Sequence, residues 1–360
     1  MATAIEIETP RLRLRPCRES DLEPLARLNA NPQVMRHLGD GQTLTHGQTW
    51  RQIAVFLGHD VMRGHSMWAI EDRESGAFLG RSGPWFPEGW PMLEVGWVVD
   101  PGRWGEGIAT EAGRAALDWC FAHMNVDRIC SLIAPDNAAS ARVAMKLGAQ
   151  LERREEVTGI PADIWIHRRP ADIPRPGPAC PIEPPPPEPF EILTERFRLR
   201  PFCQGDLDDL ARLYADADVM RYIGNGNTRT RAQTWREIAA FLGHRQIRGY
   251  TNLAIEDRRT GAFVGECGPW FPEGWPMLEV GWLVDPRRWG QGIAPEVGRA
   301  ALDWSFENLG VDEICSIIVP ENVASARVAD KLGAKIEGTF EHEGRAADLW
   351  IHRRPESAQA

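Results

Sequence analysis

RWGEGIATEAGRAAL, from Arg103 to Leu117, and RWGQGIAPEVGRAAL, from Arg288 to Leu302, each set two glycines around one residue just before a helix-forming run. At that spacing Gly105 with Gly107, and Gly290 with Gly292, let a backbone bend closely around a ligand. The amides freed at the helix starts, near Ile108 and Ile293, point with the positive end of the helix dipole, so each turn can cradle a phosphate. A plain tight turn accounts for the same glycines. No Gly-Lys-Ser/Thr follows, which excludes a Walker loop, and neither a GxGxxG nor a strand opening a βαβ unit precedes the helix, which excludes a dinucleotide fold. Upstream, Glu94 in EVGWVVDP and Glu279 in EVGWLVDP are flanked by apolar residues. Partial burial raises a carboxylate pKa toward the range useful to a general base. The alternative is a glutamate that ties down a neighbouring strand or loop.

These features come in pairs: Glu94 and Glu279, Gly105 and Gly290, and Asn137 and Asn322 all stand 185 residues apart. The offset holds without a gap from Ile5–Pro170 to Phe190–Pro355, so each copy reads as a complete domain, 1–170 and 190–360. Between them, residues 171–189 (ADIPRPGPACPIEPPPPEP) cannot feed a helix or central strand and read as a semi-rigid, Pro-rich linker. With 360 residues and 43% hydrophobic content, each domain can bury a core. A net charge of -10 disfavours nucleic acid or an anionic membrane and suits an amine-bearing partner. The seven cysteines are scattered with no CxxC, which argues against a zinc site or disulfide frame, and no metal is expected. The start of the chain lacks an apolar signal core and no run approaches a membrane span, so a soluble, cytoplasmic protein is expected.

The elements that must position these residues alternate strand and helix. RLRLRP reads as a strand, SDLEPLARLNA and TWRQIAVFLGH as amphipathic helices, and MWAIEDRESGAFLGRSG as two strands joined by a turn. LEVGWVVD is an apolar strand leading into the glycine turn and a helix through about His123. RICSLIA then reads as a buried strand, NAASARVAMKLGA as a short helix closed by Gly148, and ADIWIHRR as a final strand. The order is mixed α/β.

EVGWVVDPGRWGEGIATEAGRAALDW followed by NAASARVAMKLGAQLE, found twice, resembles the GNAT acetyltransferase superfamily, and within it the ribosomal-protein N-acetyltransferase group. The resemblance covers all but the linker and termini. It implies mixed α+β domains in tandem, each a twisted, mostly antiparallel sheet with flanking helices. It also implies acetyl-CoA as cofactor and direct transfer from thioester to a primary amine, on a small molecule or a protein N-terminus. The cofactor would be held by Val98, Val99, Arg103, Trp104, Gly105, Gly107, Ile108, Ala109, Thr110 and Asn137 in the first copy. In the second, Leu283, Val284, Arg288, Trp289, Gly290, Gly292, Ile293, Ala294 and Asn322 correspond. Glu94 and Glu279 would be the bases, acting directly or through water, and Ser140 and Ser325 match the serine that assists the leaving thiolate. Asn137 and Asn322 also read as helix caps. Two departures stand out. Trp104 and Trp289 replace the usual Gln or Arg of the turn, and Pro295 replaces Thr110, removing one amide donor from a helix's first turn.

The block WFPEGWPMLE, Trp85–Glu94, recurs unchanged at Trp270–Glu279, and its aromatics read as core, with an acceptor pocket as the alternative. His59, His167, His244 and His352 lack a second ligand at metal spacing and read as structural. His65 against Tyr250, Arg81 against Glu266 and Ser82 against Cys267 differ between copies; if they flank the acceptor cleft, the copies prefer different amines. A non-catalytic acyl-CoA binding or sensing protein is the second function class. The constant offset further suggests that the two domains pair as an intramolecular pseudo-dimer.

Overall fold

The computed structural model describes residues 5–176, 190–342 and 344–355. Most of the Pro-rich segment, residues 177–189, lies outside the described residues. The chain divides into two compact units, Met1–Pro186 and Pro187–Ala360.

In the first unit the order is β1 (Ile7–Glu8), β2 (Leu12–Pro16), α1 (Leu22–Asn29), α2 (Pro32–Met35), α3 (His46–Arg63), β3 (Trp68–Asp72), β4 (Phe78–Trp85) and β5 (Glu94–Val99). There follow α4 (Ile108–His123), β6 (Arg128–Ile133), α5 (Ala138–Lys146), β7 (Gln150–Val157) and β8 (Ile160–Arg168). The sheet runs β1-β2-β3-β4-β5-β6-β8-β7, and only the β5–β6 pair is parallel. The second unit repeats this with β9 (Ile192–Leu193), β10 (Phe197–Arg200), α6 (Leu207–Tyr214), α7 (Ala217–Met220), α8 (Arg231–Arg248), β11 (Leu253–Asp257), β12 (Phe263–Trp270) and β13 (Glu279–Val284). It ends with α9 (Ile293–Asn308), β14 (Glu313–Ile318), α10 (Val323–Lys331), β15 (Lys335–His342) and β16 (Arg345–Arg353).

Each sheet is covered on both faces. Leu14, Ile70, Val95 and Val99 pack with Ile108, Ala112, Ala116 and Leu117 of α4 to form the first unit's main core. On the opposite face Phe56 of α3 meets Trp85 edge-on at 5.4 Å. Helix α3 begins at a capping box, in which Thr45 Oγ1 accepts from the Gln48 amide and Gln48 Oε1 accepts from the Thr45 amide, and it ends at Gly64 with φ +73°. Strand β7 is absent from the pattern read along the sequence, because it is an exposed edge strand whose charges mask any alternation. Its Arg154 pairs with Asp163 of β8 at 2.6 Å, and such charges discourage edge-to-edge association.

A buried ion cluster fixes β2 to the start of α1. Arg15 is bidentate to Asp21, at 2.8 Å on both oxygens, while its Nε donates to Glu71 at 2.7 Å. Removing the cation leaves two buried carboxylates facing each other. Arg15→Ala is therefore expected to destabilise the first domain by about 3–5 kcal/mol, seen as an earlier first transition in urea. An unchanged transition would show that water replaces the guanidinium at no cost.

Candidate functional site

The turn after β5 is held by the protein's own hydrogen bonds. Asp100 Oδ1 accepts from the Gly102 amide at 2.8 Å, shaping a short 3-10 turn. The exposed Trp104 folds back so that its Nε1 donates to the Val99 carbonyl at 2.8 Å. Gly105 and Gly107 take φ +84° and +83°, conformations that L side chains rarely adopt. Glu111, in the first turn of α4, accepts from Thr9 Oγ1 at 2.6 Å and Arg11 Nε at 2.7 Å, and Arg11 Nη1 holds the Glu106 carbonyl at 3.0 Å. The amides of Ile108, Ala109 and Thr110 precede the first residue whose N–H bonds back within the helix, Glu111 to the Gly107 carbonyl.

These amides open on a cavity of about 440 Å³. Of the first copy's expected cofactor residues, the cavity is lined by Val98, Val99, Arg103, Trp104, Gly105, Gly107, Ile108, Ala109, Thr110 and Asn137, with Ser140 beside them. Its walls include three cationic groups that reading the sequence missed: Arg36 after α2, and Arg142 and Lys146 on α5. Arg142 and Lys146 are one helical turn apart, the one signal that pointed to them. Arg103 is already engaged, its Nε donating to Glu106 at 2.8 Å, and Arg288 donates to Asp257 at 2.9 Å. Asn137 Oδ1 accepts from the Ser140 amide at 3.1 Å, and Asn322 does the same for Ser325, so both asparagines cap helices.

In the second unit Gly290 and Gly292 have φ +75° and +72°, Trp289 donates to Val284, and Arg196 clamps Glu296. Leu283, Val284, Ile293 and Ala294 occupy the same strand and helix positions as their first-copy counterparts. Pro295 is the third helical residue of α9, one of the positions whose amide has no acceptor within the helix, so the helix starts undisturbed.

Strands β5 and β6 pair in register only at Glu94 and Cys130, then part. Side chains bridge the widening gap. Ser131 Oγ donates to the Val95 carbonyl at 2.7 Å and accepts from His167 Nε2 at 3.0 Å, while Glu94 Oε1 accepts from the Leu132 amide at 3.4 Å. Glu94 Oε2 accepts from Trp90 Nε1 at 2.7 Å, and Glu279 accepts from Trp275 at 2.6 Å. Burial raises both carboxyls from 4.5 to about 7 despite these donors, which favour the charged form. Glu94 thus ties down the strands with a carboxyl raised toward neutrality. It does not line the cavity itself; it stands four residues before Val98, at the narrow end of the wedge.

The aromatics of this block and Trp97, just beyond it on β5, divide by role. Trp85 stacks on His59 at 4.5 Å and is structural, Trp90 serves Glu94, and Trp97 lines the cavity. His59 Nδ1 donates to the His65 carbonyl at 2.6 Å and its Nε2 accepts from the Phe86 amide at 3.0 Å. Burial pushes His59 down to about 3 and His244, held the same way, to about 4. Both rings are expected to stay neutral in the Nδ1–H tautomer between pH 8 and pH 5 in nitrogen NMR; titration near 6.5 would contradict the assignment. Among the described residues no group of three His, Cys, Asp or Glu side chains is arranged to hold a metal, and no helix is long and apolar enough to cross a membrane.

A family model described as an acetyltransferase (GNAT) domain matches residues 11–150 and again 196–335. An uncharacterized protein of Bacillus subtilis (strain 168), YkkB, is 36% identical over 157 residues, covering 42% of this chain and 88% of its own length. An uncharacterized N-acetyltransferase of the same strain, YnaD, is 27% identical over 151 residues, covering 42% of this chain and 86% of its own. The crystal structure of an acetyltransferase from Agrobacterium tumefaciens str. C58 shares 27% identity with a TM-score of 0.42, covering 47% of this chain and 96% of that one.

Proposed function

The chain belongs to the GNAT acetyltransferase family in both of its halves, and from that premise we propose that each domain moves an acetyl group directly from acetyl-CoA to a primary amine, on a small molecule or a protein N-terminus. The observation that carries this reading is a glutamate, buried in the first copy and half-buried in the second, whose carboxyl is raised to about 7 by desolvation, on the strand that runs into a glycine-spaced cradle.

The residues of the first domain fit an acyl-CoA. Open space lies where a Cβ on Gly105 would project, the first-turn amides of α4 offer donors to a pyrophosphate, and Arg36, Arg142 and Lys146 supply positive charge. Beyond Glu94 the β5 edge facing β6 has no strand partner, which leaves backbone groups for a pantetheine arm. When bound, the cofactor supplies a thioester whose carbonyl carbon is the electrophile. Glu94, or a water it holds, takes the proton of the incoming ammonium, so that the amine lone pair can form the C–N bond as the C–S bond breaks. Ser140, at the mouth of the wedge, is the candidate donor of a proton to the departing sulfur. Glu279 and Ser325 take the same parts in the second domain. A reducing, cytoplasmic setting is part of the proposal, supported by the described cysteines, all of which are unpaired.

Incubation with acetyl-CoA and a panel of primary amines is expected to release one thiol per amine acetylated. No release with any amine would favour the non-catalytic acyl-CoA binding alternative, and amine-independent release would mark thioester hydrolysis and overturn transfer to an amine. Pairing of the domains as a pseudo-dimer, supported by the constant 185-residue offset alone, would be overturned by a scattering profile of two separate lobes.

A further inference from the structure

One buried position reverses charge between the two copies. Arg81 on β4 sits directly across from Val98, which lines the cavity, and on the same face of the sheet as Glu94. It is 9% exposed, its guanidinium lies over the Phe56 ring at 5.3 Å, and its Nε is enclosed with no hydrogen-bond partner. Arg81 and Glu94 feel each other's charge yet form no ion pair among the described residues. A buried, unpaired guanidinium is costly, and a carboxylate that meets it in bidentate fashion relieves that cost. Glu94 and Val98 are four residues apart on β5, so the two charges rise from backbone points ~13 Å apart, a gap their long side chains narrow to a few bonds of ligand.

In the second copy the same place holds Glu266, which is 8% exposed and accepts from Tyr214 Oη at 2.9 Å. Asn29 stands where Tyr214 does, and donates instead to Thr49 and Gln52. The second copy therefore sets two carboxyls, Glu279 and Glu266, on the face where the first sets a carboxylate and a cation.

Resting on the transferase reading above, we propose that the first domain selects an acceptor carrying a carboxylate as well as its amine, the ammonium directed to Glu94 and the carboxylate to Arg81. The second domain, with Glu266 in that place, rejects such an acceptor and favours a second ammonium. Arg81 is thus a specificity-determining residue, and Glu266, a buried carboxyl already bonded to Tyr214, offers the first domain's substrate no cation in the second.

The test uses the full chain with one cradle disabled at a time, Gly292→Asp to report the first domain and Gly107→Asp to report the second. Binding in the presence of CoA and thiol release from acetyl-CoA are both read, with glycine, 4-aminobutanoate and 5-aminopentanoate set against alkylamines and α,ω-diamines of matching length. The first domain is expected to favour at least one amino acid over its alkylamine by tenfold or more, a ratio that falls to about one in Arg81→Gln and persists in Arg81→Lys. The second domain is expected to reverse the order and favour the diamine. Equal binding of acid, alkylamine and diamine at every length, or a preference unmoved by Arg81→Gln, would overturn the inference. Selective binding without thiol release would overturn the transferase reading and leave the selectivity standing, so the two failures are distinct.

Discussion

The Glu94→Gln, Glu279→Gln double variant is expected to lose ~10²–10⁴-fold in kcat with acetyl-CoA binding retained, the range spanned by positioned general bases. Glutamine keeps the shape of the side chain and an oxygen that accepts from Trp90 or Trp275. Its single accepting oxygen cannot serve both Trp90 and the Leu132 amide, so a role limited to tying strands together shows as lost stability, whereas a role as base shows as lost kcat in a folded variant. The pH profile separates the two further. With the carboxyls raised to about 7, the ionised form grows as pH rises, and kcat/KM of the wild-type chain is expected to climb through about pH 7 and level off. The variant is expected to be flat across that range. Stability moves the other way. A carboxyl whose folded pKa is raised from 4.5 to about 7 contributes stability fully present below pH 4.5 and lost as pH rises through about 7, a decline the glutamine variant should lack. Unchanged kcat in a folded variant would reduce Glu94 and Glu279 to structural residues.

Gly107→Asp is expected to remove cofactor binding from the first domain while leaving it folded, and Gly292→Asp to do the same in the second. Each glycine is the N-cap of its helix at φ +83° or +72°. Forcing an L residue into the left-handed region costs about 1–2 kcal/mol, which aspartate partly recovers by bonding to the helix-start amides. That recovery is what blocks the ligand, because the new carboxylate takes the donors and the positive helix end that a pyrophosphate would use. A ligand at 100 times its Kd stabilises a fold by about 2.7 kcal/mol, so saturating CoA should shift both unfolding transitions of the wild-type chain and only one in each variant. A shift of both transitions in Gly107→Asp would place the phosphates elsewhere than the turn.

The parts of this fold most legible in the sequence are those where one physical demand dominates. Helix α4 was readable to its last residue because Gly107 opens it and an apolar stripe runs unbroken to His123. β5 was readable because it is buried on both faces and stopped by Asp100-Pro101. Strand β7 is not, since QLERREEV carries ion pairs along the strand and across to β8 and packs little apolar surface. The apolar run alone starts α3 too late, because the Thr45–Gln48 capping box lies ahead of it. At the site, glycine spacing marked the turn, but the Arg11–Glu111 clamp joins residues 100 apart and has no local signature. The departure at Trp104 became intelligible only with the fold, in which its indole ties the turn to the end of β5. Arg81 looked like one substitution among several between the copies. Its burial without a polar partner, which sets it apart, is a property of packing alone.

If each half of this chain is an acyl-CoA-using acetyltransferase domain, calorimetric titration of the intact protein with acetyl-CoA gives two sites per chain. A titration with no saturable site would overturn that reading of both halves.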